Sequence, residues 1–181
     1  GRFLMGAECL DHALACLEEA TSSDPMNFEA WFELGVACIR RGAWERARVS
    51  FRRCVEIDPD SADAWFNLGG IEGGYGRCRK AVEAYERTLS LQPENAEAWQ
   101  NLGVVLSAAG NKEMAAEVYR RALELDPRRT ETLFNLAVIS EELGRWEEAN
   151  RLYALFLETA SAKHVQQLEH ARARLSALRS R

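Results

Sequence analysis

Three stretches of the chain decide its fold: WFELGVACIRRGAWERARVSF at 31–51, WFNLGGIEGGYGRCRKAVEAY at 65–85 and WQNLGVVLSAAGNKEMAAEVY at 99–119. Each begins 34 residues after the last, and LFNLAVISEELGRWEEANRLY follows at 133–153 in the same register. Trp31, Trp65 and Trp99 thus share their slot with Leu133. Leu34, Leu68, Leu102 and Leu136 come three residues later, and Gly35, Gly69, Gly103 and Ala137 come next. Gly42, Gly76, Gly110 and Gly144 keep the period, as do Ala47, Ala81, Ala115 and Ala149. So do Phe51, Tyr85, Tyr119 and Tyr153, and all four prolines, Pro25, Pro59, Pro93 and Pro127. A fixed period of this length marks a stack of repeated supersecondary units.

The spacing within each unit predicts two amphipathic helices, because the Trp–Leu and Ala–aromatic pairs fall at i, i+3 or i+4. The small residue after each leucine lets the paired helix approach closely. Gly42, Gly76, Gly110 and Gly144 fall where the first helix must end and suit a left-handed residue there. Each proline falls where the second helix must stop, since it has no amide to continue the ladder. Asn27, Ser61 and Asn95 then offer side-chain oxygens to cap the helix that follows.

The pattern Trp-x2-Leu-Gly, Ala-x3-Phe/Tyr, Pro on this period resembles the tetratricopeptide repeat family over nearly the whole chain. The resemblance implies an all-α, right-handed superhelical solenoid of helix-turn-helix repeats. Full repeats are expected at 28–61, 62–95, 96–129 and 130–162, with a partial repeat at 1–27 and a basic amphipathic capping helix at 163–181. Residues 1–27 align with the back part of a repeat, which implies further sequence before Gly1. The family's aromatic slot seven residues after each Trp position holds Cys38, Glu72, Leu106 and Ser140 instead, so looser packing is expected there. The last helix carries Val165, Leu168, Ala171, Leu175 and Leu178 on one stripe. Its basic residues read either as the polar outer face of a cap or as a contact for an acidic partner.

The chain has 181 residues and a net charge of −5, a field that argues against nucleic acid as the main ligand. No apolar run approaches the ~18 residues that span a bilayer, so membrane insertion is not expected. Cysteines at 9, 16, 38, 54 and 78 are odd in number, lack any CxxC and lie in helical patterns. They read as buried thiols in a reducing compartment, the cytoplasm or the nucleus. His12, His164 and His170 sit near the two ends of the sequence, and no catalytic constellation converges. Cys9, His12 and Cys16 share a helical face, but a metal site there would need a further ligand, and ordinary burial accounts for the pattern. No cofactor is implied.

In such a stack the first helix of each repeat lines a concave groove. Glu33, Asn67, Asn101 and Asn135 occupy one register along it. An asparagine column can pair with both the N–H and the C=O of an extended peptide. It resembles the ladders of O-GlcNAc transferase and peroxisomal targeting-signal receptors, which implies capture of a peptide backbone. Asparagine as a common family residue at that slot is the other reading. Phe32, Phe66, Gln100 and Phe134 precede that column, and Val36, Gly70, Val104 and Val138 follow it. These are expected to line the groove with exposed aromatics. Partial burial of the valines against neighbouring helices is the plainer alternative. Gly70, Gly73 and Gly74 weaken their helix by about 1 kcal/mol each. They read either as a hollow for a partner's bulky side chain or as a flexible seam. The clamp that grips a carboxylate tail in this family is not expected, since Glu29, Asp63, Glu97 and Glu131 replace the needed cations and Arg40 alone lies on the groove.

Two functions fit. One is a non-catalytic protein–protein interaction scaffold that binds a partner's peptide, extended or helical. The other is the substrate-recruiting arm of a larger enzyme. Self-association through the exposed N-terminal end is a further route to a partner.

Overall fold

The computed structural model describes residues 2–179, with side chains for 10–161 and 163–177. It is built of α-helices, with no strand among the described residues. They form two compact units, residues 1–92 and 93–181. In the first, α1 (Arg2–Ser23), α2 (Phe28–Arg41), α3 (Trp44–Ile57), α4 (Ala62–Gly74) and α5 (Cys78–Leu91) each pack on the next. In the second, α6 (Ala96–Ala108), α7 (Lys112–Leu125), α8 (Thr130–Glu142) and α9 (Trp146–Thr159) do the same, followed by a 3-10 turn at Ala162–His164 and α10 (Val165–Arg179).

The helix ends are set by a short list of local interactions. Asn27, Ser61 and Asn95 cap α2, α4 and α6 by accepting from the amides of Ala30, Ala64 and Ala98. Gly42, Gly76, Gly110 and Gly144 have φ of 77°, 67°, 83° and 72°, a left-handed conformation that closes the preceding helix. Asp24, Asp58 and Asp126, each just before a proline, accept from the amide two residues on and shape the turn. The indole N–H of Trp31, Trp65 and Trp99 then donates to the carbonyl of Pro25, Pro59 and Pro93 at 3.1, 2.9 and 2.9 Å. Each tryptophan therefore ties its own helix to the turn that precedes it. Leu133 has no side-chain N–H to do this, and α8 also lacks a side-chain cap at Arg129.

The core of both units is an aromatic ring pressed against a helix backbone. A Cβ added at Gly35 would meet Phe51 at 2.8 Å, one at Gly69 would meet Tyr85 at 3.1 Å, and one at Gly103 would meet Tyr119 at 2.5 Å. In α8, Ala137 is buried in one core cluster with Tyr153 and Phe156. The slot expected to pack loosely does not. Cys38, Glu72, Leu106 and Ser140 are all buried, and the two polar residues among them are hydrogen-bonded. Nor are all the thiols buried: Cys38 and Cys54 are, whereas Cys16 is exposed and Cys78 half-buried. On α10, Ala171 and Leu175 enter the core of α8 and α9, but Val165, at the helix start directly after the 3-10 turn, is exposed. Cys9 and Leu178 lie outside the described side chains.

Gly103→Ala is expected to lower stability by about 1–3 kcal/mol, since the new methyl must displace the Tyr119 ring. Gly70→Ala meets only the Tyr85 hydroxyl, at the ordinary distance of 3.5 Å. It should raise stability by roughly 0.5–1 kcal/mol through helix propensity. Urea unfolding followed by circular dichroism compares the two; equal stabilities would contradict the ring-on-backbone account.

Candidate functional site

The residues expected to line a groove lie on α2 and α4 in the first unit and on α6 and α8 in the second. In the second unit several of them converge. Val104 from α6 and Phe134, Asn135 and Val138 from α8 line a trough of about 320 Å³, with Tyr119 at its wall and Glu142 at its edge. Val104 is 45% exposed. Burial pushes the Tyr119 hydroxyl well above its ordinary pKa. Asn101 is half-buried on α6 and is not among the trough residues.

In the first unit, Val36 is half-buried against the core of α2 and α3, while Gly70 and Gly74 are exposed and Gly73 is half-exposed. Asn67 donates its amide to the Asp63 carbonyl one turn back, at 2.8 Å. Any peptide it held would share or replace that bond.

The aromatics differ from expectation. Phe32, Phe66 and Phe134 are half-buried and not freely exposed, because each leans edge-on against the ring of the second helix. Phe32 meets Phe51 at 5.5 Å, Phe66 meets Tyr85 at 5.9 Å and Phe134 meets Tyr153 at 6.2 Å. Gln100 departs further. It is 9% exposed, and its carbonyl accepts from Thr132 at 2.7 Å and from Arg129 at 2.9 Å while its amide donates to Glu131 at 3.3 Å. It joins α6 to the start of α8 and supplies the ordering there that a cap side chain provides elsewhere. Glu141, in the last turn of α8, accepts from Tyr153 and is held by Arg174 of α10.

An ionic cluster in the first unit escaped sequence reasoning. Glu72 is only 3% exposed, and Arg77 donates to it at 3.2 Å with Arg48 at 3.9 Å. Glu45 completes the ring, 2.7 Å from Arg48 and 3.5 Å from Arg77, and the Arg48 guanidinium holds its carboxyl below the usual range. The Arg77 guanidinium also lies 4.7 Å over the Tyr75 ring. A glutamate in a slot that otherwise holds Cys, Leu or Ser was the available signal. In the second unit Arg120 makes a bidentate pair with Glu148, which accepts from Ser140 as well, and this pair keeps the Glu148 carboxyl low.

Among the described residues no group of three or more His, Cys, Asp or Glu side chains is arranged to hold a metal, and His12 and Cys16 are both exposed. Among the described residues no helix is long and apolar enough to cross a membrane. Burial pushes the Cys54 thiol up to about 12.

The sequence profile described as cytochrome c-type biogenesis protein H TPR domain matches residues 49–167, and the profile described as tetratricopeptide repeat matches residues 4–62. No curated protein matches the chain. Among solved structures, MamA is similar with a TM-score of 0.82 and 24% identity, over 86% of this chain and 91% of that one. YrrB, described as a TPR protein with an unusual peptide-binding site, gives 0.81 at 19% identity, over 94% and 88%. PilF of Pseudomonas aeruginosa gives 0.74 at 18% identity, over 96% and 83%. At such identities the likeness shows the all-α repeat solenoid alone.

Arg77→Met leaves the buried Glu72 carboxylate with Arg48 at 3.9 Å as its remaining cation and is expected to lower stability. Glu72→Leu installs what α6 carries at Leu106 and should be close to neutral, since apolar replacement of a buried ion pair often is. Thermal unfolding of both variants checks this; a Glu72→Leu loss as large as that of Arg77→Met would show that the pairing itself stabilises the fold.

Proposed function

The chain belongs to the tetratricopeptide repeat family, and on that premise we propose that it is a non-catalytic interaction scaffold that holds a peptide segment of a partner protein. The trough between α6 and α8 carries this reading. It joins apolar walls from Val104, Val138 and Phe134 to a carboxamide at Asn135, which is the combination a peptide site needs: surface to bury and a few fixed polar groups for orientation. YrrB, which shares the fold, is described as having a peptide-binding site, and this adds support. On the first unit, Val36, Phe66, Asn67, Gly70, Gly73 and Gly74 form the corresponding faces of α2 and α4 and belong to the same proposal. So do Phe32, Asn101 and, now as an internal brace, Gln100. Free cysteines at 16, 38, 54 and 78 support a reducing compartment. In the alternative of a recruiting arm within a larger enzyme the same trough would hold the substrate's peptide.

Panning the immobilised protein against a displayed random-peptide library tests the proposal. The expected result is a peptide family whose affinity falls at least about tenfold, or ~1.4 kcal/mol, in Val104→Glu and in Asn101→Ala/Asn135→Ala. Circular dichroism controls for folding. Selected peptides that bind both variants as tightly as the parent would remove the trough as the site.

A further inference from the structure

One place in the fold is built in opposite ways in the two units. In the second, Lys112 at the start of α7 faces the last turn of α8, and its amine pairs with Glu142 at 3.2 Å. Val138, Ile139 and Leu143 hold the neighbouring positions of α8 and its end. Two repeats earlier the corresponding residues are Trp44 at the start of α3, then Gly70, Ile71, Gly74 and Tyr75. Here no ion pair closes the gap. Instead Trp44, Gly70, Ile71, Gly74 and Tyr75 line an apolar recess of about 250 Å³. The opening is therefore a property of these side chains and not of the repeat fold.

The walls of the recess are two aromatic rings left partly in solvent, Trp44 at 49% and Tyr75 at 42% exposure. Tyr75 is held from behind. The Arg77 guanidinium lies over its ring at 4.7 Å. Arg77 and Arg48 are in turn anchored on the buried Glu72. A wall fixed in this way gives up little freedom when a ligand arrives, which favours tight contact. The floor is helix backbone at Gly70 and Gly74 beside the buried Ile71. A Cβ at Gly74 would meet nothing within 4 Å, so no neighbouring atom requires a glycine there.

We propose that this recess is a specificity pocket for one aromatic side chain of the bound peptide. The inference rests on the peptide-binding reading given above and extends it. Asn67, Gly70 and Gly74 are spaced i, i+3, i+7 on α4, so the pocket continues the helix face that presents Asn67. Two aromatic walls favour a ring in stacked or edge-on contact over an aliphatic chain of similar area. Glu45, Arg48, Glu72 and Arg77 are paired with one another, so the pocket's surroundings give a charged side chain no matching ion.

Fluorine NMR of protein labelled with 5-fluorotryptophan tests this with small probes: N-acetyl-phenylalaninamide, N-acetyl-leucinamide and N-acetyl-alaninamide. Trp44 is assigned from Trp44→Phe, and Trp146, exposed to 44%, is the internal control. The phenylalanine probe should shift the Trp44 signal saturably and leave Trp146 unsaturated. The leucine probe should bind at least about threefold more weakly, the factor that an aromatic contact of ~0.7 kcal/mol gives. Gly74→Leu, which fills the recess, and Gly74→Glu, which copies position 142, should each abolish saturation while retaining helix content. Trp44 and Trp146 shifting alike, leucine matching phenylalanine, or saturation persisting in both filled variants would overturn the pocket. Val104→Glu should leave the Trp44 titration unchanged. A saturable Trp44 in a protein that selects no peptide would instead count against the peptide reading alone.

Discussion

The rest of the structure depends on the approach of an aromatic ring to a helix backbone that has no side chain in the way. Phe51, Tyr85 and Tyr119 press on Gly35, Gly69 and Gly103 at distances a Cβ could not share without displacement. That contact sets how near the two helices of a pair can come. From it follows the burial of Ala47, Ala81, Ala115 and Ala149, where a larger residue would push the pair apart. Rings of the second helices then serve a second purpose. Phe51, Tyr85 and Tyr153 receive Phe32, Phe66 and Phe134 edge-on, so the face proposed to bind peptide is braced by the core beneath it.

Around this fixed contact the fold tolerates chemistry of several kinds. The slot held by Cys38, Glu72, Leu106 and Ser140 is buried in every case, and each residue solves the burial differently. Leucine and cysteine fill it with apolar surface, serine donates to Glu148, and glutamate is neutralised by Arg77 and Arg48. The glutamate has the widest consequence, because the arginines that neutralise it also position Glu45 and Tyr75. A requirement to bury one carboxylate is thereby passed to an exposed surface, where it orders an aromatic side chain.

Much of the fold was legible in the residues alone. Asn27, Ser61 and Asn95 cap as their positions require, and the four glycines that close the first helices take positive φ. Less of the candidate site was legible. Val104, Phe134, Asn135 and Val138 do come together, but Gln100 in the same register turns inward. Nothing local distinguishes Gln100 from Phe66 or Phe134; its partners Arg129, Glu131 and Thr132 lie 29 to 32 residues further along the chain.

What the sequence by itself determined is the helix, its ends and its pairing, because capping, left-handed glycines, proline stops and i, i+4 stripes act between residues only a few positions apart. What only the tertiary structure decided is the use made of each surface position. Whether Glu72 is neutralised, whether Glu141 faces a partner or Arg174, and whether the interval at Trp44 stays open while that at Lys112 is closed all depend on side chains from helices that the period places side by side. The period specifies that such neighbours meet. The charge and volume that each pair brings to the meeting then decide between a buried brace, an ion pair and an open pocket.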